Sequence, residues 1–528
     1  MADAPAVRWP DRVDAERLQA LRDELSVPSD AERERIEVRQ PPTAAPIGSV
    51  PVATEDDLDA AVERARTAQR AWADRNAGEK RGIVDRFHDR VLDRREWLLD
   101  LVQLETGKAR ITAYEEVLDT AYTAGYYADV FESWLAPRSM HGAIPVLMRA
   151  TVHREPYGVV GIIAPWNYPL TLAVSDAVPA LLAGNAVVLK PDVQTPFTAL
   201  AAARLLRQAG VPRDLFQVVT GRGPAIGPEL VDRSDFVSFT GSTATGREVA
   251  ARAGRNLVDC SLELGGKNPM LVLADADLDR AVEGAVRGCF ASAGQLCISI
   301  ERCYVHADVY DAFRDALAER AESLVVGPGF DYEVEMGTLL DEDQLAKVQR
   351  HVDEAVDAGA TVVTGGEPRP DLGPFFFAPT VLTDVPAETA VAREETFGPV
   401  VSIEPFEDVR AAVRRANDSD YGLNASVWSA DRERARAVAR EIDCGTVNIN
   451  EAYATAWGTT GAPMGGMKDS GVGRRHGREG LLKYTEAKTV AEQRLHPFAP
   501  SGWLPPERFV RATTAGLRAL RRLPRWLR

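Results

Sequence analysis

Apolar residues recur at helical spacing between Thr54 and about Leu135, and this pattern predicts a series of helices. The first of them is expected to begin at a Thr/Glu/Asp cap that opens with Thr54. Residues 1–50 are polar and contain scattered prolines. There we expect one short helix around Asp14–Leu25, followed by an arm without regular structure.

From Thr151 onward the pattern changes to short β-rich runs that are separated by helices. The runs are YGVVGIIAP, NAVVLKP, LFQVVTG and DFVSFTG, and the segments PLTLAVSDAVPALLAG and PFTALAAARLLRQAG between them are typical of helices. A second series of the same kind covers roughly residues 268–440. Strands that alternate with helices predict an α/β fold with parallel sheets.

Composition and charge exclude several classes of protein. The chain has 528 residues, of which 45% are hydrophobic and 27% charged, and these ordinary values exclude a disordered chain. The net charge of −16 argues against a nucleic-acid-binding protein. Five cysteines without a CxxC pair, and seven histidines without HxH or HxxxH spacing, predict no disulfide framework and no metal site. We therefore expect a cytoplasmic protein with reduced thiols.

No export signal and no membrane span is expected. Acidic residues stand in the N-terminal segment where a signal peptide needs an apolar region. The longest uncharged apolar stretch, Tyr157–Ser175, contains Pro165, Asn167 and Pro169, which would break a spanning helix.

The end of the chain differs in charge from the rest. Residues 501–528 hold seven arginines and one acidic residue, a net charge of +6, which leaves −22 for the remainder. The segment LRALRRLPRWLR could lie on an anionic membrane or on an acidic subunit. The interpretation that we favour from the sequence is a partly ordered tail on the acidic surface of the same chain.

Three motifs contain residues suited to catalysis. Cys297 lies in FASAGQLCISI, and a cysteine thiolate is a strong nucleophile, although a lone cysteine is more often a small buried hydrophobe. Glu263 lies in LELGGKNP just before a Gly-Gly turn, where a carboxylate can project into a cleft. Asn167 lies in PWNYP after the run VVGIIAP, and ligands of open α/β sheets gather at such strand ends.

The ordered set PWN, KP…TP, FTGS, LELGGK, GQLC, EETFGP and PMGGMKDSG resembles the aldehyde dehydrogenase superfamily over about residues 50–492. The closest resemblance is to its succinate-semialdehyde dehydrogenase branch. The resemblance implies a Rossmann-type cofactor domain, an α/β catalytic domain and a small β oligomerisation arm. The expected parts are an N-terminal arm (1–50), the dinucleotide-binding domain (51–136 and 157–262), the catalytic domain (263–465), the oligomerisation arm (137–156 and 482–495) and the basic tail (496–528).

By this resemblance Cys297 attacks the aldehyde, while the Asn167 side chain and the Cys297 backbone N–H hold the oxyanion. Hydride passes to a nicotinamide, and Glu263 activates the water that hydrolyses the thioester. The presence of Glu263 favours hydrolysis over acyl transfer to coenzyme A. No metal takes part, and a homodimer or homotetramer is implied.

The resemblance also implies a set of cofactor contacts. Lys190 would reach the adenosine ribose, and Glu395 and Phe397 would hold the nicotinamide ribose and ring. Val193 stands where relatives that prefer NAD often carry a glutamate that repels a 2′-phosphate, so we expect NADP, with NAD also usable. The remaining expected contacts are Trp166, Gly223, Gly241, Ser242 and Gly265.

The substrate is the least determined feature. Succinate semialdehyde is the best expectation, yet Ser175 and Ala291 replace the arginines that clamp its carboxylate in some relatives. Arg474 and Arg475 are candidate replacements, or else they form surface salt bridges. The residues expected to line the aldehyde tunnel are mostly apolar and would equally suit an apolar aliphatic or aromatic aldehyde: Tyr168, Ser175, Leu296, Ile298, Trp457 and Met464. A third hypothesis, a retired enzyme fold that acts as a binding protein, is disfavoured by the intact Cys297, Glu263 and Asn167.

Overall fold

The described residues of this computed structural model are 6–28, 32–141, 148–494 and 498–522. They divide into two compact units, one formed by described residues of 1–134 and 156–485, the other by those of 135–155 and 486–528. Parts of the N-terminal segment, the expected arm and the basic tail lie outside the described residues: 1–5, 29–31, 142–147, 495–497 and 523–528.

The α-helices follow in chain order. They are α1 (Ala15–Leu21), α2 (Glu55–Ala73), α3 (Ala77–Asp93), α4 (Arg95–Thr106), α5 (Arg110–Leu135), α6 (Thr171–Val174), α7 (Ala177–Leu182), α8 (Pro196–Ala209), α9 (Gly223–Arg233), α10 (Thr243–Arg255), α11 (Leu278–Phe290), α12 (Tyr310–Glu322), α13 (Glu342–Asp357), α14 (Ala390–Arg393), α15 (Val409–Asn417), α16 (Arg432–Ala439), α17 (Ala454–Gly458), α18 (Gly477–Leu482) and α19 (Pro506–Arg522). Among the described residues, no helix is both long enough and apolar enough to cross a membrane.

The strands form several sheets. They are β1 (Arg35–Gln40), β2 (Ala45–Pro51), β3 (Arg138–His141), β4 (Met148–Pro156), β5 (Val159–Ile163), β6 (Ala186–Lys190), β7 (Phe216–Val218), β8 (Phe236–Thr240), β9 (Asp259–Glu263), β10 (Asn268–Val272), β11 (Ile300–His306), β12 (Thr361–Thr364), β13 (Thr380–Thr383), β14 (Val400–Phe406), β15 (Tyr421–Gly422), β16 (Asn424–Trp428), β17 (Thr446–Ile449), β18 (Met467–Lys468), β19 (Gly471–Val472) and β20 (Thr485–Gln493).

A six-stranded sheet has the order β19-β9-β8-β5-β6-β7, and all its strands except β19 run parallel. The chain proceeds from β5 outward to β6 and β7, then returns to β8 and β9 on the other side of β5. The order therefore reverses between β5 and β8, and ligands of open α/β sheets bind in the crevice at such a point. Strands β5, β6, β7 and β8 lie on the four predicted β-rich runs.

A seven-stranded sheet, with the order β12-β13-β14-β11-β10-β16-β17, follows in the second predicted α/β series. Its strands are parallel except for the antiparallel pair β12 and β13. The predicted α/β class is thus confirmed. A separate three-stranded sheet, with the order β20-β4-β3, belongs to the unit formed by residues 135–155 and 486–528.

For the N-terminal part of the chain, one prediction is correct and one is wrong. Helix α2 begins after Thr54 as predicted, and a capping box joins Thr54 to Asp57. The expectation of an arm without regular structure is wrong, because β1 and β2 pair as an antiparallel hairpin. The reason is a period of two in β1, where Ile36 and Val38 are buried while the charged residues between and beside them are more exposed.

Candidate active site

The parallel strands of the six-stranded sheet gather the predicted cofactor residues at one edge. Their carboxyl ends all point to this edge. The residues at or after these ends are Trp166 after β5, Lys190 and Val193 at and after β6, Gly223 after β7, Gly241 and Ser242 after β8, and Glu263 at the end of β9. The arrangement follows from topology, because residues far apart in sequence share one edge of a parallel sheet.

A cavity of about 200 Å³ opens at this edge. Many of the predicted cofactor and catalytic residues line it together: Trp166, Asn167, Gly241, Ser242, Glu263, Gly265, Cys297, Glu395 and Phe397. Lys190, Val193 and Gly223 are at the same edge but not in this lining. Gln344 and Lys347 of α13 also line the cavity, and sequence reasoning did not select them.

The loop that carries Cys297 is held in an unusual conformation. It follows a 3₁₀ turn (Ala291–Gly294) in which Ser292 and Gly294 have positive φ values of 53° and 72°. Gln295 anchors the loop, because its side-chain oxygen accepts from the Leu340 N–H at 2.9 Å and its amide donates to the Thr338 carbonyl at 3.2 Å. The Cys297 carbonyl accepts a hydrogen bond from the Asn268 side chain at 2.8 Å.

Asn167 is buried beside the same loop. Its side-chain amide donates to the Gln295 carbonyl at 3.1 Å. The backbone carbonyl of Asn167 accepts a hydrogen bond from Lys108 Nζ at 2.5 Å. Lys108 also forms a buried ion pair with Glu116 at 2.8 Å. An asparagine amide has two N–H groups, so this one retains a donor for an oxygen in the cavity that it lines.

The pKa values of Glu263 and Cys297 are strongly shifted. Burial raises the pKa of Glu263 to about 7, against the opposing charges of Arg475 and Lys483. Its Oε1 atom has no hydrogen-bond partner among the described residues. Burial, with the nearby carboxylates Glu395 and Glu263, raises the pKa of the Cys297 thiol to about 12. The resting cysteine is therefore protonated at neutral pH, while Glu263 is poised to accept a proton.

The far side of the cavity is built around Glu395 and Phe397. Glu395 Oε1 accepts from the Gly266 N–H at 2.9 Å, and burial raises the pKa of this carboxyl to about 7. A side chain at Gly265 would place its Cβ only 2.7 Å from Glu395 Oε2, so it would displace the Glu395 carboxylate. The Phe397 ring meets the Trp166 ring edge to face, with their centroids 5.5 Å apart.

The residues at the sheet edge fit a dinucleotide. Lys190 is buried, and within the described part of the chain its ammonium donates only to the Pro191 carbonyl at 3.0 Å, which leaves donors for ligand oxygens. Burial lowers the pKa of Lys190. Helix α10 begins at this edge with Ser242 as its cap, and free amides at a helix start suit a phosphate group.

A second cavity lies on the other side of Cys297. All six residues predicted to line the aldehyde tunnel are in its wall: Tyr168, Ser175, Leu296, Ile298, Trp457 and Met464. The wall also contains residues that sequence reasoning did not select as tunnel residues: Glu115, Asp119, Thr171, Leu172, Leu423, Tyr453 and His476.

Comparison with known proteins identifies the family. Residues 27–490 match the aldehyde dehydrogenase family. The "Putative succinate-semialdehyde dehydrogenase (NADP+)" of Mycolicibacterium smegmatis is 50% identical over 482 residues, which cover 91% of this chain and 93% of that protein. The succinate-semialdehyde dehydrogenase (NADP+) of Escherichia coli is 39% identical over 86% of this chain and 94% of its own.

The chain belongs to the aldehyde dehydrogenase family. A solved structure titled "NAD+ complex structure of aldehyde dehydrogenase from bacillus cereus" matches it with a TM-score of 0.83 and 36% identity, covering 87% of this chain and 93% of that chain. The predicted family and fold are therefore confirmed. The enzyme is an NAD(P)-dependent oxidoreductase, as the motifs implied.

The two arginines considered for a carboxylate clamp lie in different surroundings in this aldehyde dehydrogenase. Arg475 lines the second cavity, but only 13% of its side chain is exposed, and its guanidinium donates to Asp176 at 2.5 Å and to Thr240 at 2.6 Å. Arg474 is not in that lining and donates to the carbonyls of Gly466 and Gly473. The salt bridge of Arg475 is thus internal rather than on the surface.

The second cavity of the aldehyde dehydrogenase has an acidic wall that sequence reasoning missed. Glu115 accepts hydrogen bonds from the hydroxyls of Tyr453 at 2.8 Å and Tyr168 at 3.2 Å. Asp119, one helical turn further along α5, accepts from Ser175 at 2.7 Å and from Thr171. The four-residue spacing in α5 is a usable signal, but this acidic pair precedes PWNYP by about fifty residues, and no motif marks it.

Nothing in the described part of the chain resembles a metal centre. Within residues 6–28, 32–141, 148–494 and 498–522, no three or more His, Cys, Asp or Glu side chains are grouped so that they could hold an ion.

Proposed function

We propose that this enzyme oxidises an aldehyde to a carboxylic acid through a covalent adduct on Cys297. One observation carries the proposal. Two cavities were described above, the first at the edge of the six-stranded sheet and the second lined by the predicted tunnel residues. Their walls share three residues, which are Asn167, Glu263 and Cys297. The three residues with suitable chemistry therefore stand where a substrate in one cavity would meet a cofactor in the other.

Each residue has a distinct role in this reaction. The Cys297 sulfur attacks the carbonyl carbon as its proton leaves toward Glu263, and the second Asn167 N–H donates to the oxygen that becomes negative. NAD(P)+, when bound, supplies the acceptor for the hydride that leaves the thiohemiacetal carbon. Glu263 passes that proton to solvent and then removes a proton from water, which attacks the thioester. The acid is released, and the proton on Glu263 returns to the Cys297 sulfur.

Glu263→Gln tests this assignment directly. Without the base, both the deprotonation of Cys297 and the hydrolysis of the thioester slow, so steady-state NADPH formation should fall at least about 100-fold. Intact-mass spectrometry of the wild type, quenched during turnover, should detect one acyl group per chain on Cys297. In Cys297→Ala the adduct and NADPH formation should both vanish while cofactor binding persists, and retained turnover in Cys297→Ala would remove Cys297 as the nucleophile. Loss of cofactor binding would instead support a damaged fold.

NADP+ is the proposed preferred cofactor, with NAD+ also used. Val193 supplies no carboxylate to repel a 2′-phosphate, and Lys190 lies close by in sequence with donors unused. The names of both relatives above specify NADP(+). Val193→Glu should raise KM for NADP+ at least tenfold and leave KM for NAD+ unchanged or lower, whereas Val193→Leu should change neither.

Succinate semialdehyde is the proposed substrate, supported by the names of the relatives. The alternative is an apolar aldehyde, which Leu296, Ile298, Trp457 and Met464 would favour. A comparison of kcat/KM for succinate semialdehyde, hexanal and benzaldehyde, each with NAD+ and NADP+, separates the two. The proposal requires the highest kcat/KM with succinate semialdehyde.

We further propose a homodimer or homotetramer in the cytoplasm. The assembly is supported by β20, a nine-residue strand at the edge of the three-stranded sheet and exposed over most of its length. The reducing compartment is supported by the five cysteines, all of which are free thiols.

A further inference from the structure

Helix α19 (Pro506–Arg522) lies beyond the part of the chain that matches the family, which ends at residue 490. None of its residues lines either cavity of the active site. The reaction therefore gives no reason for its sequence, PERFVRATTAGLRALRR.

The side chains of α19 separate into two faces. At 100° per residue, Phe509, Val510 and Leu517 fall on one face, with Thr513 between them and Gly516 beside Phe509. Four arginines fall on the opposite face: Arg508, Arg511, Arg518 and Arg522. The helix has low mean hydropathy in spite of its apolar face, and the combination is typical of helices that lie in the plane of a membrane surface.

The apolar face is open to solvent. Val510 is 59% exposed and Leu517 52% exposed, although isolated surface residues of this kind would not be notable by themselves. Aromatic residues just before the helix extend this face. Trp503 is 68% exposed, and the centroid of the Phe498 ring lies 5.3 Å from that of Phe509 in the helix. Tryptophan and phenylalanine at one end of an amphipathic helix are suited to the boundary between headgroups and acyl chains.

We propose that α19 docks this enzyme on an anionic lipid surface. The apolar face enters the headgroup region, and the arginines opposite it remain at the level of the lipid phosphates. The aromatic rings beside the apolar face favour a lipid over an acidic protein surface as the partner, because such rings are suited to the boundary between headgroups and acyl chains. A net charge of −16 would repel any anionic surface at long range, so binding needs the cationic residues and the apolar face together in one helix.

Co-sedimentation of the full-length enzyme with vesicles tests the proposal. Vesicles of 30% phosphatidylglycerol in phosphatidylcholine should bind the enzyme at low salt, and pure phosphatidylcholine should bind it much less. Replacing Arg508, Arg511 and Arg518 with glutamine should lower the partition coefficient on the anionic vesicles roughly 100-fold. High salt should have an effect in the same direction.

A charge-neutral pair of variants isolates the apolar face. Val510→Asn with Leu517→Gln should lower partitioning at least tenfold. The matched control, Thr514→Asn with Ala515→Gln, changes the polar side of the same helix and should leave partitioning within about twofold of the wild type. NADPH formation should be unchanged in every variant, because none of these residues lines the active-site cavities.

Three results would overturn the proposal. The first is that the wild type fails to bind anionic vesicles at low salt. The second is that the Val510/Leu517 variant binds as well as the Thr514/Ala515 control. The third is that the Val510/Leu517 variant changes the molar mass measured by light scattering while its vesicle partitioning stays the same, since the face would then cover a second copy of the chain.

Discussion

At the scale of single residues, the protonation of Glu263 should control the pH dependence of turnover. Burial raises the pKa of this carboxyl to about 7, and only the deprotonated form can accept a proton from Cys297 or from water. We therefore expect kcat to rise as the pH increases through about 7 and to level off above it. Steady-state measurement of kcat between pH 5.5 and 9 would show this limb.

The matched variant is Glu263→Gln, which keeps the shape of the side chain and removes the base. Its residual kcat should no longer show the limb near pH 7. If the limb persisted unchanged in this variant, another group would be responsible for it, and the proposed role of Glu263 would be wrong. The rise could then belong to Glu395, whose pKa burial also raises to about 7.

At the scale of structural elements, the loop before β11 depends on Gly294. This residue has φ +72°, and a Cβ there would lie 2.0 Å from the Gly398 carbonyl oxygen. Gly294→Ala should therefore shift the loop and destabilise it by more than about 1 kcal/mol. We expect a lower thermal midpoint and a loss of kcat of at least tenfold, because Cys297 is carried by the same loop.

Gly254→Ala is the control for this change. Gly254 lies within α10, and a Cβ added there would meet no atom within 4 Å. Its thermal midpoint should stay the same or rise slightly, since alanine is favoured over glycine in a helix by about 1 kcal/mol. Equal effects of both substitutions would show that steric conflict at Gly294 does not hold the loop.

The elements also show what the sequence could predict. The strands of the six-stranded sheet were predictable because parallel strands buried on both faces are continuous apolar runs, as in β5 and β6. The β1–β2 hairpin was not, because alternate charged residues and prolines conceal a strand that is buried on one face only. The acidic pair on α5 was missed because only tertiary packing brings that helix to the cavity.

At the scale of the whole molecule, the active site also has features that the sequence could predict and features that it could not. Motifs select Cys297, Glu263 and Asn167 individually, but they do not show that these residues form the boundary between two cavities. Motifs also do not show that Arg475, placed beside the substrate cavity, is already bound by Asp176. Both facts depend on contacts between loops that belong to different sheets. Local sequence patterns carry no information on which loops come together in the folded chain.

Assembly is the remaining property of the whole molecule, and β20 makes it testable. A long exposed strand at a sheet edge offers unpaired backbone groups to another chain. Val490, which is 50% exposed, lies within this strand.

Val490→Pro removes a backbone donor and should prevent pairing between subunits, whereas Val490→Thr keeps the preference for a strand and should assemble normally. Light scattering should give two or four times 57.4 kDa for the wild type and Val490→Thr, and 57.4 kDa for Val490→Pro. A wild type that is monomeric at all concentrations, or a Val490→Pro variant of unchanged molar mass, would contradict assembly through this strand.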